Sequence, residues 1–216
     1  QRLAREEVRR PFDLCQGPLL RATLLQLAEE EHLLLLVVHH IVFDAWSRGI
    51  LLQELFTLYK AFAGGEPSPL PELPVQYVDF AQWQRQWVQG ELMESQLAYW
   101  QQQLARAPPV LELPTDRPRP PSQTYRGSVE RFQLDADLVQ KLKTWGQQSG
   151  ATLFMTLLAG FVALLARYSG QKDIVLGSPI AARNRAEIEP LIGFFVNTLV
   201  FRTDLSGDPT GMALLE

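Results

Sequence analysis

The sequence predicts an α/β protein of two lobes, truncated at both ends, and three observations carry that expectation. Strand-like and helix-like apolar patterns occur on both sides of one proline-rich stretch. That stretch, residues 108–121, holds six of the fifteen prolines, and such density gives a stiff, extended connector without regular hydrogen bonding. The chain also starts without Met, inside a helix-like pattern (Gln1, Arg2, Leu3), and stops at Leu214, Leu215 and Glu216 just as an apolar pattern begins after Pro209. Natural termini usually taper into polar residues, so the expectation is a piece of something longer. The lobes then fall at residues 1–107 and 129–216, with 108–128 as the linker between them.

Each element follows from local pattern. Residues 19–27 read as a strand, Glu29, Glu30 and Glu31 as a turn, and residues 33–38 (Leu-Leu-Leu-Leu-Val-Val) as a strand buried on both faces. The second run is too short for a membrane span. The two strands make a hairpin that ends at His39 and His40. Residues 49–63 then show helical spacing, with Leu51, Leu55, Leu58 and Phe62 on one face and Gly64-Gly65 as the stop. A loop holding Pro67, Pro69, Pro71 and Pro74 leads to two more helical segments, 75–88 and 91–105. Their aromatic residues Trp83, Trp87, Tyr99 and Trp100 read as packing groups between elements. Beyond the connector come a strand near 129–134, a helix over 135–148, an apolar helix over 152–168, and strands at 173–177 and 196–203.

Composition excludes several classes. A net charge of -4 argues against general nucleic-acid binding. The one cysteine, Cys15, forbids an intrachain disulfide and a cysteine-rich zinc site, and reads as a small, partly buried residue. A cytoplasmic location fits that usage. No cleavable signal pattern or span of about 18 apolar residues is present, so no membrane partner is expected.

Chemistry concentrates in residues 39–47, His-His-Ile-Val-Phe-Asp-Ala-Trp-Ser. Two imidazoles at the end of a buried strand sit where a sheet opens onto a cleft. Side chains alternate along a strand, so His39 and His40 are expected on opposite faces, with different jobs. The only other histidine is His32, and no third ligand lies at a recognised spacing, so no metal site is expected. Ser47 and Ser178 are not in a Gly-x-Ser-x-Gly elbow. What remains is general base catalysis by an imidazole, with a carboxylate such as Asp44 orienting it. The competing reading makes both histidines core residues satisfied by backbone carbonyls and Asp44 the N-cap of the next helix. Spacing alone favours the second.

The wider setting changes that balance. Residues 39–47 closely resemble the HHxxxDG signature of condensation domains of nonribosomal peptide synthetases. Three further segments agree in order: Arg10-Pro11-Phe12-Asp13-Leu14 continuing to Gly17-Pro18-Leu19-Leu20-Arg21, then Tyr77-Val78-Asp79-Phe80-Ala81-Gln82-Trp83-Gln84, then Ile192-Gly193-Phe194-Phe195-Val196-Asn197-Thr198. The resemblance implies the chloramphenicol-acetyltransferase-like fold, with the histidine motif at the centre of a channel between two lobes. It implies amide formation: the amine of an aminoacyl thioester on one carrier protein attacks a donor acyl or peptidyl thioester on another. Ester formation, epimerisation on the same scaffold, or non-catalytic docking are the alternatives.

Carried over by position, His40 is the histidine that positions the acceptor amine, and whether it also takes the proton is left open. His39 becomes its structural neighbour. Asp44 becomes half of a buried ion pair, not a proton relay, and Arg183 is its best-placed partner. Ala45 departs from the motif glycine; a methyl there interferes only if the position needs positive φ or close approach of a thioester. Trp46 and Ser47 fit the condensation pattern. With Ala45 and Asn197 they are candidates to border the substrate channel. The domain itself is expected to bind no cofactor, since its substrates arrive on the 4'-phosphopantetheine of carrier proteins. The partners implied are upstream donor and downstream acceptor peptidyl carrier proteins, with an adenylation domain in the same polypeptide.

Overall fold

The structure, a computed structural model, describes residues 2–125 and 127–215. Gln1 and Glu216, the outermost residues in the reading of the termini, lie outside the described residues, as does Arg126. The elements in order are α1 (Arg2–Arg9), β1 (Leu20–Gln26), β2 (His32–Val38), α2 (Ala45–Ala63), α3 (Tyr77–Trp87), α4 (Gly90–Gln103), α5 (Ala136–Gln148), α6 (Leu153–Ser169), β3 (Asp173–Ile180) and β4 (Asn197–Asp204). Short 3-10 turns occupy His40–Val42 and Ala186–Ile188.

Strands β1 and β2 pair antiparallel, from Leu20 opposite Val38 to Gln26 opposite His32. Burial on both faces does not hold. Leu33 and Leu34 are 45% and 42% exposed, and Leu24, paired with Leu34, is 65% exposed. A leucine run fixes what a strand can bury, whereas burial needs a layer on each side. The hairpin is a two-stranded sheet among the described residues, so its outward leucines meet solvent. The strand also ends at Val38, before the double histidine.

Helix α2 starts earlier than its apolar spacing suggests, because Asp44 caps it. The Oδ1 of Asp44 accepts the Ser47 N–H at 2.8 Å, satisfying one of the helix's free donors. The end is Gly64, as expected, whose N–H closes on the carbonyls of Lys60 and Ala61. Helix α3 is started by Asp79, whose carboxylate accepts the Gln76 N–H at 2.8 Å. The aromatic residues of α3 and α4 pack less deeply than expected. Trp83 and Trp87 stack on each other at 5.2 Å, while Trp87 and Tyr99 stay about half exposed. Cys15 is exposed rather than partly buried.

The described residues of the proline-rich connector carry no regular element, yet the connector is docked near its start. The Gln171 side chain donates to the Val110 carbonyl at 3.0 Å and accepts the Glu112 N–H at 2.7 Å. Residues 129–134 form no strand. Val129 and Phe132 are more than 80% exposed, and a strand needs a paired neighbour that alternation alone cannot supply. Helices α5 and α6 are capped by Asp135 and Thr152. Gly170 closes α6 in the left-handed conformation at φ 71°, which glycine adopts without steric cost.

Two cores result. Val162, Leu165 and Ile174 pack with Leu111, Leu176 and Leu205. Ile188, Leu191 and Phe195 pack with Leu73, Val75, Tyr77 and Phe80. Strands β3 and β4 pair, and the Leu205 N–H donates to the Lys172 carbonyl at 2.7 Å, which sets the exit of β4 beside the start of β3. Arg202 ties the same region by donating to Asp173 at 2.7 Å and to the carbonyls of Gln103 and Ala105. By contacts the chain divides into Gln1–Glu94 with Pro179–Thr198, and Ser95–Ser178 with Leu199–Glu216. The first of these units holds residues 39–47 together with 179–198.

Candidate functional site

Asp44 and Arg183, 139 residues apart, meet in the interior with both side chains fully buried. Their contact is 3.3 Å, from Arg183 Nη2 to Asp44 Oδ1. An arginine that deep needs more than one partner, and Arg183 has them. Its Nη1 donates to the carbonyls of Ile188 and Leu191, both at 2.7 Å, and its Nη2 to Ser47 Oγ at 2.9 Å. The guanidinium lies 3.9 Å from the Phe195 ring, and its Nε, which has no hydrogen-bond acceptor, belongs to that stacked plane. Ala182, just before it, sits at φ 51°, a left-handed turn in the backbone that delivers the arginine.

The Asp44 carboxylate is equally committed. Oδ1 takes the Ser47 N–H and Arg183, and Oδ2 takes the Phe195 N–H at 3.0 Å. Burial pushes its pKa up, but the hydrogen bonds from Ser47 and Phe195 and the Arg183 charge outweigh that, holding it below the ordinary 3.8. Burial lowers the Arg183 pKa and Asp44 partly restores it. Neither carboxylate oxygen is bonded to a histidine, so the arrangement contains no Asp-His dyad.

Ser47 is the centre of this network. It is wholly buried, accepts from Arg183 and from the Gly193 N–H at 3.0 Å, and donates to the Gly193 carbonyl at 2.8 Å. The channel expectation for Ser47 is therefore corrected: a sealed hydroxyl with one proton and two lone pairs all engaged has nothing left for a substrate. Trp46 is 48% exposed and donates its indole N–H to the Glu189 carbonyl at 3.0 Å. Ala45 opens α2 in an exposed position and is not among the residues with positive φ, so the backbone does not call for glycine. Asn197 begins β4, exposed, with its side chain accepting the neighbouring Thr198 N–H at 2.8 Å.

The two histidines follow β2 instead of ending it, so strand alternation is not what separates them. His39 caps the 3-10 turn: its Nδ1 accepts the Ile41 N–H at 3.1 Å. Its ring packs edge-on against Phe12 at 5.7 Å, and Phe12 in turn lies under Arg21 at 3.8 Å. Arg21 donates to the carbonyls of Glu7 and Arg10, so the early motif residues form one support for His39. His40 is exposed, and its ring meets Phe194 at 5.4 Å with an interplanar angle of 80°.

Tyr77 and Gly193 join the site without having stood out singly in the sequence. The Tyr77 hydroxyl donates to the Phe194 carbonyl at 2.8 Å. A side chain at Gly193 would collide with the Tyr77 ring, so only glycine fits there. Their signal was membership in two motifs, with nothing to say that the motifs touch. Among the described residues no three His, Cys, Asp or Glu side chains gather as metal ligands would, and no single helix is long and apolar enough to cross a membrane.

Comparison with known proteins agrees with this geometry. The chain is 58% identical over 214 residues to a linear gramicidin synthase of Brevibacillus parabrevis, covering 99% of this chain and 4% of that one. It superposes on the X-domain in its complex with OxyB from teicoplanin biosynthesis with a TM-score of 0.93 at 30% identity, covering 99% of this chain and 48% of that one. It also superposes on a four-domain nonribosomal peptide synthetase bound to AMP and glycine, with a TM-score of 0.83 at 27% identity, over 99% of this chain and 16% of that one. The chain thus spans a few per cent of the gramicidin synthase and about half of the X-domain, and has the chloramphenicol-acetyltransferase-like fold. The family model for the condensation domain matches residues 1–216, and the chain belongs to the condensation-domain family of nonribosomal peptide synthetases.

Proposed function

We propose that this chain serves amide formation between two carrier-bound substrates, with His40 as the group at the reaction centre. The supporting observation is an exposed imidazole just past the end of β2, beside a frame in which Asp44, Ser47, Arg183 and Gly193 are linked to one another by hydrogen bonds. In the reaction the acceptor amine attacks the donor thioester carbonyl, the new nitrogen gains positive charge, and the thiol leaves. A neutral imidazole beside that nitrogen orients the amine and takes its proton. Thioester aminolysis is downhill, so alignment of two tethered substrates supplies most of the acceleration. His39, Asp44, Arg183 and Ser47 hold the frame, while Ala45, Trp46 and Asn197 border the approach. Residues 1–107 close the first lobe and 129–216 open the second. Both substrates ride on phosphopantetheine arms of an upstream donor and a downstream acceptor carrier protein, next to an adenylation domain.

The test is His40→Ala in the parent synthetase with both carriers loaded. Amide formation is expected to fall on the order of 100-fold while carrier loading is unchanged. Undiminished amide overturns the assignment. It would favour a second reading, a docking surface for another protein, which the likeness to the X-domain in its OxyB complex supports.

A further inference from the structure

Residues 193–195 are pinned at four backbone atoms. The Gly193 N–H and carbonyl both bind Ser47 Oγ, the Phe194 carbonyl takes the Tyr77 hydroxyl, and the Phe195 N–H binds Asp44. On either side of Phe194 the neighbouring residues are buried. A segment held this way does not slide or turn without stranding interior hydrogen-bonding groups.

Phe194 itself emerges from this clamp, 36% exposed, with its ring against the His40 imidazole. The contrast with His39 is informative. His39 is fixed by a hydrogen bond to Nδ1 and by Phe12, whereas the His40 ring forms no hydrogen bond to protein groups among the described residues. Phe194 is its aromatic contact. An imidazole without an anchor samples several rotamers, and rotation by one rotamer carries its nitrogen out of reach of an incoming amine.

We propose that Phe194 is a positioning residue for His40: its ring, fixed through the backbone by Asp44, Ser47 and Tyr77, holds the imidazole in its working orientation. The proposal rests on the placing of His40 at the reaction centre. It gives the buried Asp44–Arg183 network a route to the chemistry, since that network sets where the Phe194 ring stands.

The test uses the parent synthetase in single turnover with both carriers loaded. Phe194→Leu removes the ring and keeps an apolar side chain; the rate is expected to fall about three- to tenfold, the range an edge-to-face aromatic pair supplies. Phe194→Tyr is expected to restore the rate, with carrier loading and Tm unchanged in both. If Phe194→Leu fails to fold, Phe194→Met carries the same comparison. On a His40→Ala background Phe194→Leu is expected to add no loss, because it acts through the imidazole. An unchanged rate for Phe194→Leu overturns the proposal, as does an equal loss on the His40→Ala background, which would make Phe194 a substrate contact. If His40→Ala itself fails to slow the reaction, the functional assignment is what fails, so the two failures are distinct.

Discussion

The hydroxyl of Ser47 has one proton and two lone pairs, and Gly193 and Arg183 use all of them. Full use of a buried hydroxyl fixes position because every alternative rotamer strands a partner. Asp44 is held by three hydrogen bonds with a charge added, and the charge makes it testable. Its folded pKa lies below 3.8, so it contributes stability that is complete above the ordinary carboxylate value and is lost as pH falls through the depressed one. Asp44→Asn in the complete domain is therefore expected to be less stable at pH 7. The gap to the parent protein should stay level from pH 7 to 5 and narrow below about pH 3.8. Urea unfolding at a series of pH values reads this directly. A gap that stays constant down to pH 3 would mean the carboxylate's shape, not its charge, holds the site.

At the scale of elements, the helices were legible because period and caps are local properties. Asp135, Thr152 and Gly170 bracket α5 and α6 where the pattern placed them. The first turn of α2 was not legible from periodicity, since Ala45, Trp46, Ser47 and Arg48 carry no apolar repeat; its marker is the Asp44 cap. Strands fared worse for a physical reason. Residues 129–134 alternate well enough, but alternation names a face and not a neighbour, and the same holds for the exposed side of β2. Packing between helices is likewise beyond a pattern. Gly146 is buried in α5, and a Cβ there would collide with the Thr156 hydroxyl of α6 and come within 3.2 Å of the Ala151 carbonyl. Gly146→Ala raises helix propensity by about 1 kcal/mol, yet overpacking costs about 1–3 kcal/mol. The expected outcome is a lower Tm for Gly146→Ala; a higher one would show that α6 shifts freely.

For the whole molecule, the site depends on one excursion of the chain. Residues 179–198 leave along β3, group with the first contact unit, and return along β4. The hydrogen bonds they make to Asp44 and Ser47 span 136 to 151 residues of sequence. No local pattern reaches that far, and the motif resemblance is what singled out Arg183, although Arg185 lies only two residues on. The two arginines differ sharply in the folded chain: Arg183 is sealed against Asp44, while Arg185 lies over Trp83 at 4.6 Å. Because Arg183 joins the Ile188 and Leu191 carbonyls to Asp44 and Ser47, removing it strands a buried carboxylate and frees the excursion at once. That loss costs about 3–5 kcal/mol. Hydrogen exchange in the complete domain separates a local from a global consequence. In Arg183→Leu the amides of Ser47, Gly193 and Phe195 are expected to lose protection together, because each is held by the same two side chains, Asp44 and Ser47. Helix α6, whose Val162 and Leu165 pack with Ile174 of β3, should keep its own. Protection lost uniformly across the chain would show instead that Arg183 supports the fold as a whole, and that the site is no separate cooperative unit.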